Sequence, residues 1–238
     1  ISPKRLFTNN WKDELWLVAG GIFGGSLYFF TENTALGITQ ASNVSFIICT
    51  APLLTTILSL LFYKSEKASK GLIYGSLLAL MGVGLIVFNG SFVLKISPIG
   101  DLLTLLAALS WAFYSLIIKK MAGRYPTVFI TRKIFFYGVL TILPAFLLHP
   151  LHPDTVVLLQ PAVLFNLLFL AVLASLICYV LWNVVLKQLG TVRASNYIYL
   201  NPLVTMIASF LILDEKITLV ALGGAACIVC GVYWAEKK

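Results

Sequence analysis

Charged side chains are scarce in this chain. Lys and Arg number 17 and Asp and Glu nine in 238 residues, so 11% of positions are charged. A water-soluble domain carries about 25%. A chain of this length folded in water keeps too much surface to hide an apolar share of 60%. A soluble domain is therefore excluded, and the bilayer is the solvent that fits. Histidine is nearly absent: His149 and His152 both sit in one polar stretch, HPLHP, and two ligands do not make a metal site. No segment alternates with period two, which excludes a membrane barrel. No GxxxxGK stretch occurs, so direct ATP drive is disfavoured. The net charge of +8 does not gather on one basic face, so nucleic acid is not the partner. The polar start ISPKRLFTNNWK is not a cleavable signal.

Cysteine is present four times, at Cys49, Cys178, Cys227 and Cys230, always within apolar sequence. The CxxC spacing of Cys227 and Cys230 admits a redox or metal site. No His or acidic residue stands near it, and small apolar packing is the better reading. No cofactor and no metal are expected.

What the chain does have is long apolar runs. A spanning helix needs about 20 such residues, and eight segments qualify: 14–35, 44–62, 71–88, 99–118, 128–148, 162–186, 194–213 and 219–234. The connections between them hold most of the Lys, Arg, Asn, Asp and Pro. Of the 17 cations, 15 fall on one side of the resulting topology and two, Lys95 and Lys216, on the other. The side rich in cations faces the cytoplasm, which places both termini there and no cation inside a span.

The sequence also repeats itself. Shifted by 150 residues, Asn33 meets Asn183, Ser45 meets Ser195, Pro52-Leu53 meets Pro202-Leu203, and Thr55, Ile57, Ser59 and Leu61 meet Thr205, Ile207, Ser209 and Leu211. One residue then drops out. At a shift of 149, Glu66-Lys67 meets Glu215-Lys216, Gly75 meets Gly224, and Gly82-Val83 meets Gly231-Val232. Segments one to three thus match segments six to eight. An offset of five spans puts the copies in opposite orientation, the inverted-topology repeat of many transporters. The second copy has five helices and the first only three, so two helices of the pattern are missing before Ile1.

Three runs carry a family likeness: TALGITQASNVSFIICTAPLLTTILSLLFYKSEK, GDLLTLLAALSWAFYSLIIKK and LGTVRASNYIYLNPLVTMIASFLILDEK. They resemble the EamA family of the drug/metabolite transporter superfamily, over essentially the whole chain. Its five-helix repeats carry a Pro in the fourth helix and a Glu at its end, here Pro52 with Glu66 and Pro202 with Glu215. The fifth-helix glycines would be Gly75, Gly82, Gly224 and Gly231, and the small-residue-Trp signature Ser110-Trp111-Ala112. The resemblance implies an all-α membrane protein of ten helices in inverted five-helix repeats. Eight spans are present in this chain, with the first two helices missing. Residues 1–90 form the first repeat and 91–238 the second. It also implies a central cavity and transport of small metabolites, with amino acids and related compounds as the familiar substrates.

Polar residues inside spans are costly, and they line a pathway or join helices. In the first segment these are Tyr28, Glu32 and Asn33; Glu32 is the one carboxylate that falls within a span rather than at a cytoplasmic end. It either binds a substrate ammonium or a coupling proton, or faces water in the last outer turn. Its repeat counterpart is Trp182, beside Asn183. In the seventh segment Asn196 and Tyr199 share a face and Asn201 adjoins them, directly before Pro202, which leaves a backbone carbonyl unsatisfied. These form a substrate site or interhelical glue, and Asn43 and Ser45 pose the same alternatives. Trp111 and Tyr114, three apart, and Tyr179 can wall a cavity or stack over a cation. Gly20, Gly21, Gly24 and Gly25 form two overlapping GxxxG patterns for close helix approach.

The leading function is secondary transport of small, amino-acid-like metabolites, most simply export, by rocking of two repeats about a central site. Protons are a coupling ion if Glu32 titrates, and a monomer or weak dimer in a bacterial inner membrane suffices. The runner-up is a nucleotide-sugar or triose-phosphate exchanger, which needs cations at its site. A membrane-embedded enzyme needs a nucleophile, base or metal cluster in the spans, and none is evident.

Overall fold

The computed structural model describes residues 7–63, 69–88, 97–148, 155–213 and 217–237. Glu66, Glu215, His149, His152 and the cations Lys4, Arg5, Lys64, Lys67, Lys95, Lys216 and Lys238 lie outside them. Eight helical rods follow in order: α1 (residues 11–38), α2 (Ala41–Phe62), α3 (Lys70–Phe88), α4 (Pro98–Ala122), α5 (Thr127–Leu148), α6 (Pro161–Leu189), α7 (residues 191–213) and α8 (Leu219–Glu236). No strand occurs among the described residues.

Local chemistry sets the rod ends. Asn10 caps α1 by accepting from the Asp13 amide at 2.8 Å, and Thr218 caps α8 by accepting from Ala221 at 3.1 Å. Pro98 and Pro161 open α4 and α6, where their missing N–H costs nothing. Between α6 and α7 there is a single residue, Gly190, whose φ of 82° a side chain would disfavour.

Six of the rods, α2 to α6 and α8, are long and apolar enough to cross a membrane. The other two, α1 and α7, carry Glu32, Asn33, Asn196 and Asn201 and are not among the six. Four rods are irregular part-way along. α1 is π-helical over Ile22–Ser26 and α6 over Phe169–Ile177; α2 breaks at Cys49–Thr50, and α7 tightens to a 3₁₀ turn over Tyr197–Leu200. At the 150-residue shift the two π segments overlap, and so do the α2 and α7 breaks.

The most extensive helix contact joins α3 to α8, which run antiparallel. A Cβ on Gly82 would stand 2.5 Å from the Gly224 carbonyl oxygen, and one on Gly231 2.5 Å from the Gly75 carbonyl. Backbones meet there with no room for a side chain, the close approach that small residues permit in lipid. Cys227 packs in the same seam, against Gly82. Elsewhere α4 is the central rod, contacting α1, α2 and α6. The glycine pairs of α1 divide their work: Gly20 and Gly24 abut Ile117 and Tyr114 of α4, whereas Gly21 and Gly25 abut Tyr137 and Gly138 of α5.

Candidate functional site

Between α1, α2 and α7, with a rim from α3 and α8, lies a cavity of about 650 Å³. Its polar wall is Glu32, Ser45, Asn201 and Thr205, with Cys49 at the α2 break. The site forms where α2 and α7 are irregular, because Pro52 and Pro202 cannot donate to the preceding turn. A break puts side chains and unpaired backbone in reach of a solute, as discontinuous helices do in transporters.

Glu32 connects this cavity to an aromatic cluster. Tyr28 Oη donates to Glu32 Oε1 at 3.0 Å, and the Tyr28 ring lies 5.2 Å from Trp111. Trp111 in turn lies 5.2 Å from Tyr114, 5.8 Å from Tyr179 and 5.9 Å from Trp182. The hydroxyls are tied down: Tyr114 donates to Asn183 Oδ1 at 2.7 Å, Asn183 donates to Thr131 at 2.8 Å, and Tyr179 donates to the Gly24 carbonyl at 2.8 Å. The indole N–H groups of Trp111 and Trp182 have no hydrogen-bond partner among the described residues.

The twelve residues singled out from sequence therefore separate. Glu32, Ser45 and Asn201 line the cavity. Tyr28, Trp111, Tyr114, Tyr179 and Asn183 build the aromatic cluster beside it. Asn33 is exposed and donates to the Phe29 carbonyl of its own helix at 2.7 Å. Asn43 is buried away from the cavity wall. Asn196 is buried and accepts from Ser76 at 3.4 Å; Tyr199 is fully buried in the α3–α8 core with Val83, Ile228 and Val232. The wall residues Cys49 and Thr205 are not legible as such from sequence, although Thr205 is the repeat partner of Thr55.

A second polar cluster closes the far end of α1. Arg124 donates to Asp13 at 2.6 Å and Tyr125 donates to its other oxygen at 2.8 Å. Glu14 accepts from Lys133, Tyr137 and the Thr8 hydroxyl. Lys133 corrects the expectation that no cation lies inside a span, since it is buried within α5. Its charge is matched by Glu14, which is what makes burial affordable in an apolar rod. Among the described residues no Lys or Arg lines the 650 Å³ cavity, and no group of three metal-ligating side chains occurs.

A bundle of apolar helices around a mostly apolar cavity with a few convergent polar groups is the architecture of a membrane transport protein. The model of the EamA-like transporter family matches residues 1–88 and 98–235, and the chain belongs to that family. It is accordingly an integral, multi-pass membrane transporter and not an enzyme. An uncharacterized transporter of Archaeoglobus fulgidus is 30% identical over 218 residues, covering 90% of this chain and 73% of that one. A probable amino-acid metabolite efflux pump of Salmonella typhimurium is 29% identical over 182 residues, 72% of this chain and 60% of that one. Its namesake in Escherichia coli is 23% identical, covering 84% and 69%. A solved crystal structure superposes with a TM-score of 0.79 over 96% of this chain and 77% of its own, at 19% identity. That likeness speaks for the fold alone.

Proposed function

We propose that this protein moves amino acids or closely related metabolites across the membrane, most simply outward, by alternating access between two inverted repeats. The cavity carries the reading. It is about 650 Å³, within the range that small-molecule sites occupy, and one carboxylate faces it. Glu32 supplies a partner for an ammonium group, and Ser45, Asn201 and Thr205 on the same wall offer hydrogen bonds to the rest of the solute. The efflux-pump relatives support the same substrate class. The absence of cations from the wall among the described residues weighs against phosphorylated substrates.

The division into residues 1–90 and 91–238 is part of this proposal. So are an eight-span topology with both termini cytoplasmic, two further helices completing the first repeat, and a monomer or weak dimer in a bacterial inner membrane. The antiparallel α3–α8 seam supports inversion, because its contacts are reciprocal under the repeat. Gly75 meets Gly231 and Gly82 meets Gly224, while Gly75 corresponds to Gly224 and Gly82 to Gly231. The paired irregularities of α1 with α6 and of α2 with α7 support it as well. Proton coupling would use Glu32.

Reconstitution into liposomes tests the function. Vesicles loaded with the proteinogenic amino acids should exchange one subset of them, and Glu32→Gln should lose that exchange. No flux of any amino acid from folded protein overturns the substrate class, and insensitivity to a proton gradient overturns coupling through Glu32.

A further inference from the structure

The 650 Å³ cavity has a smaller counterpart at the opposite face. A crevice of about 300 Å³ lies among the end of α2, the start of α3, the α6–α7 connection and the end of α8, with Arg193 and Lys237 on its wall. The repeat relates the two. Ala41 and Ser42 of the cavity correspond to Thr191 and Val192 of the crevice, and Met206 corresponds to Thr56. At the shift of 149 that holds for α3 and α8, Val87 corresponds to Glu236 and Ala221 to Leu72.

The correspondence is not complete. Ser45, Cys49, Asn201 and Thr205 line the cavity. Their counterparts Ser195, Tyr199, Ala51 and Thr55 are shut away, at 0%, 0%, 1% and 0% exposure. Thr55 Oγ1 and Ser195 Oγ are buried with no hydrogen-bond partner among the described residues, and so is Nδ2 of the neighbouring Asn196. Such groups are costly where they stay unpaired, so a purely structural wall would be better built from Ala and Val. Ser45 and Thr205, the repeat partners of Ser195 and Thr55, line the cavity on the other side of the pseudo-symmetric pair, whereas Asn196 pairs with Phe46, which does not.

We infer that the crevice at the Arg193 face is the second mouth of the pathway, and that Thr55, Ser195 and Asn196 are its polar lining, sealed in this conformation. This rests on the transport reading above. When α2 and α7 part at that face, the two hydroxyls and the amide meet water and the polar solute, while Ser45 and Thr205 take over the closed packing. Uncharged donors and acceptors suit a solute recognised by hydrogen bonds. Arg193 and Lys237 at the rim set this mouth apart from the one bearing Glu32.

Introduced cysteines test this, in a background with Cys178, Cys227 and Cys230 replaced by serine, the buried cavity-wall Cys49 kept and measured as its own control, and the full chain in sealed vesicles. Arg193→Cys marks its face for a membrane-impermeant thiol reagent. Thr55→Cys and Ser195→Cys should react from that face alone. Their rates should be about ten- to a thousandfold below that of Arg193→Cys, since a minor conformer is populated at about 0.1–10%. Ser45→Cys and Thr205→Cys should react from the opposite face, and modifying Thr55→Cys should stop amino-acid flux. If Thr55→Cys does not fold, Ala194→Cys replaces it, being buried and the counterpart of cavity-lining Val44. Vesicles that carry flux while neither Thr55→Cys nor Ser195→Cys reacts from the Arg193 face overturn the inference and leave transport standing. Loss of all flux in folded, unmodified protein overturns the transport reading instead.

Discussion

Tyr28 donates its hydroxyl to Glu32 across one turn of α1, at 3.0 Å, and so fixes the carboxylate at the junction of the cavity and the aromatic cluster. A hydrogen bond to a charged group contributes about 1.5–3 kcal/mol. Tyr28→Phe should therefore weaken substrate affinity by about tenfold or more while leaving the cavity walls intact. Glu32→Gln should have the larger effect, because it removes the charge itself. Equilibrium binding to both purified variants decides the order, and equal affinities would deny Tyr28 its positioning role.

The asparagines provide a second test. Asn201 lines the cavity, Asn196 is buried against Ser76, and Asn33 bonds its own helix on the exposed surface. Asn201→Ala should lower transport without lowering the melting temperature. Asn196→Ala should lower melting temperature, Asn196 Oδ1 being the acceptor for Ser76. Asn33→Ala should change neither. Transport lost as fully in Asn33→Ala as in Asn201→Ala would mean that the cavity is not the substrate site.

The seam between α3 and α8 leaves no space for a methyl group. Gly82→Ala would drive a Cβ to 2.5 Å from the Gly224 carbonyl oxygen, whereas Gly223 has nothing within 4 Å. Overpacking costs about 1–3 kcal/mol, so Gly82→Ala should melt several degrees lower and Gly223→Ala should not. Thermal unfolding in detergent measures both.

At the end of α1, Lys133 and Glu14 are coupled through a contact in which both side chains are largely buried, at 8% and 16% exposure. Removing one partner strands the other charge, so Glu14→Gln should cost about 1–3 kcal/mol. Lys133→Met alone should cost less, because Thr8 and Tyr137 still donate to Glu14. A double-mutant cycle should show positive coupling between the sites. Additive losses would mean that the pair contributes no net stability.

Much of the architecture is written in the apolar runs, because a bilayer demands whole helices and the sequence has to supply them. The repeat matches Gly75 with Gly224 and Gly82 with Gly231, but the contacts run crosswise, Gly75 to Gly231 and Gly82 to Gly224, and were not legible in the sequence. Side-chain direction is another matter. Asn196 and Tyr199 share a face as spacing requires, but the 3₁₀ turn at Tyr197–Leu200 aims them into the core rather than the cavity. Trp111 and Tyr114 do stand together, because they share one regular helix. Lys133 escaped notice because its partner, Glu14, is 119 residues away in sequence. Long-range charge pairing leaves no periodic trace.

Gly190 is the only residue between α6 and α7. Two Cα steps reach about 7 Å at most, so Leu189 and Thr191 act as the two arms of a fixed corner. That corner is part of the crevice wall. Widening of the crevice therefore has to come from its other side, where Thr56 and Leu60 of α2, Leu72 of α3 and Ala235 to Lys237 at the end of α8 stand. At this face the jaw that moves is the α2 end together with the glycine-sealed α3–α8 pair, and the α6–α7 corner is the anvil.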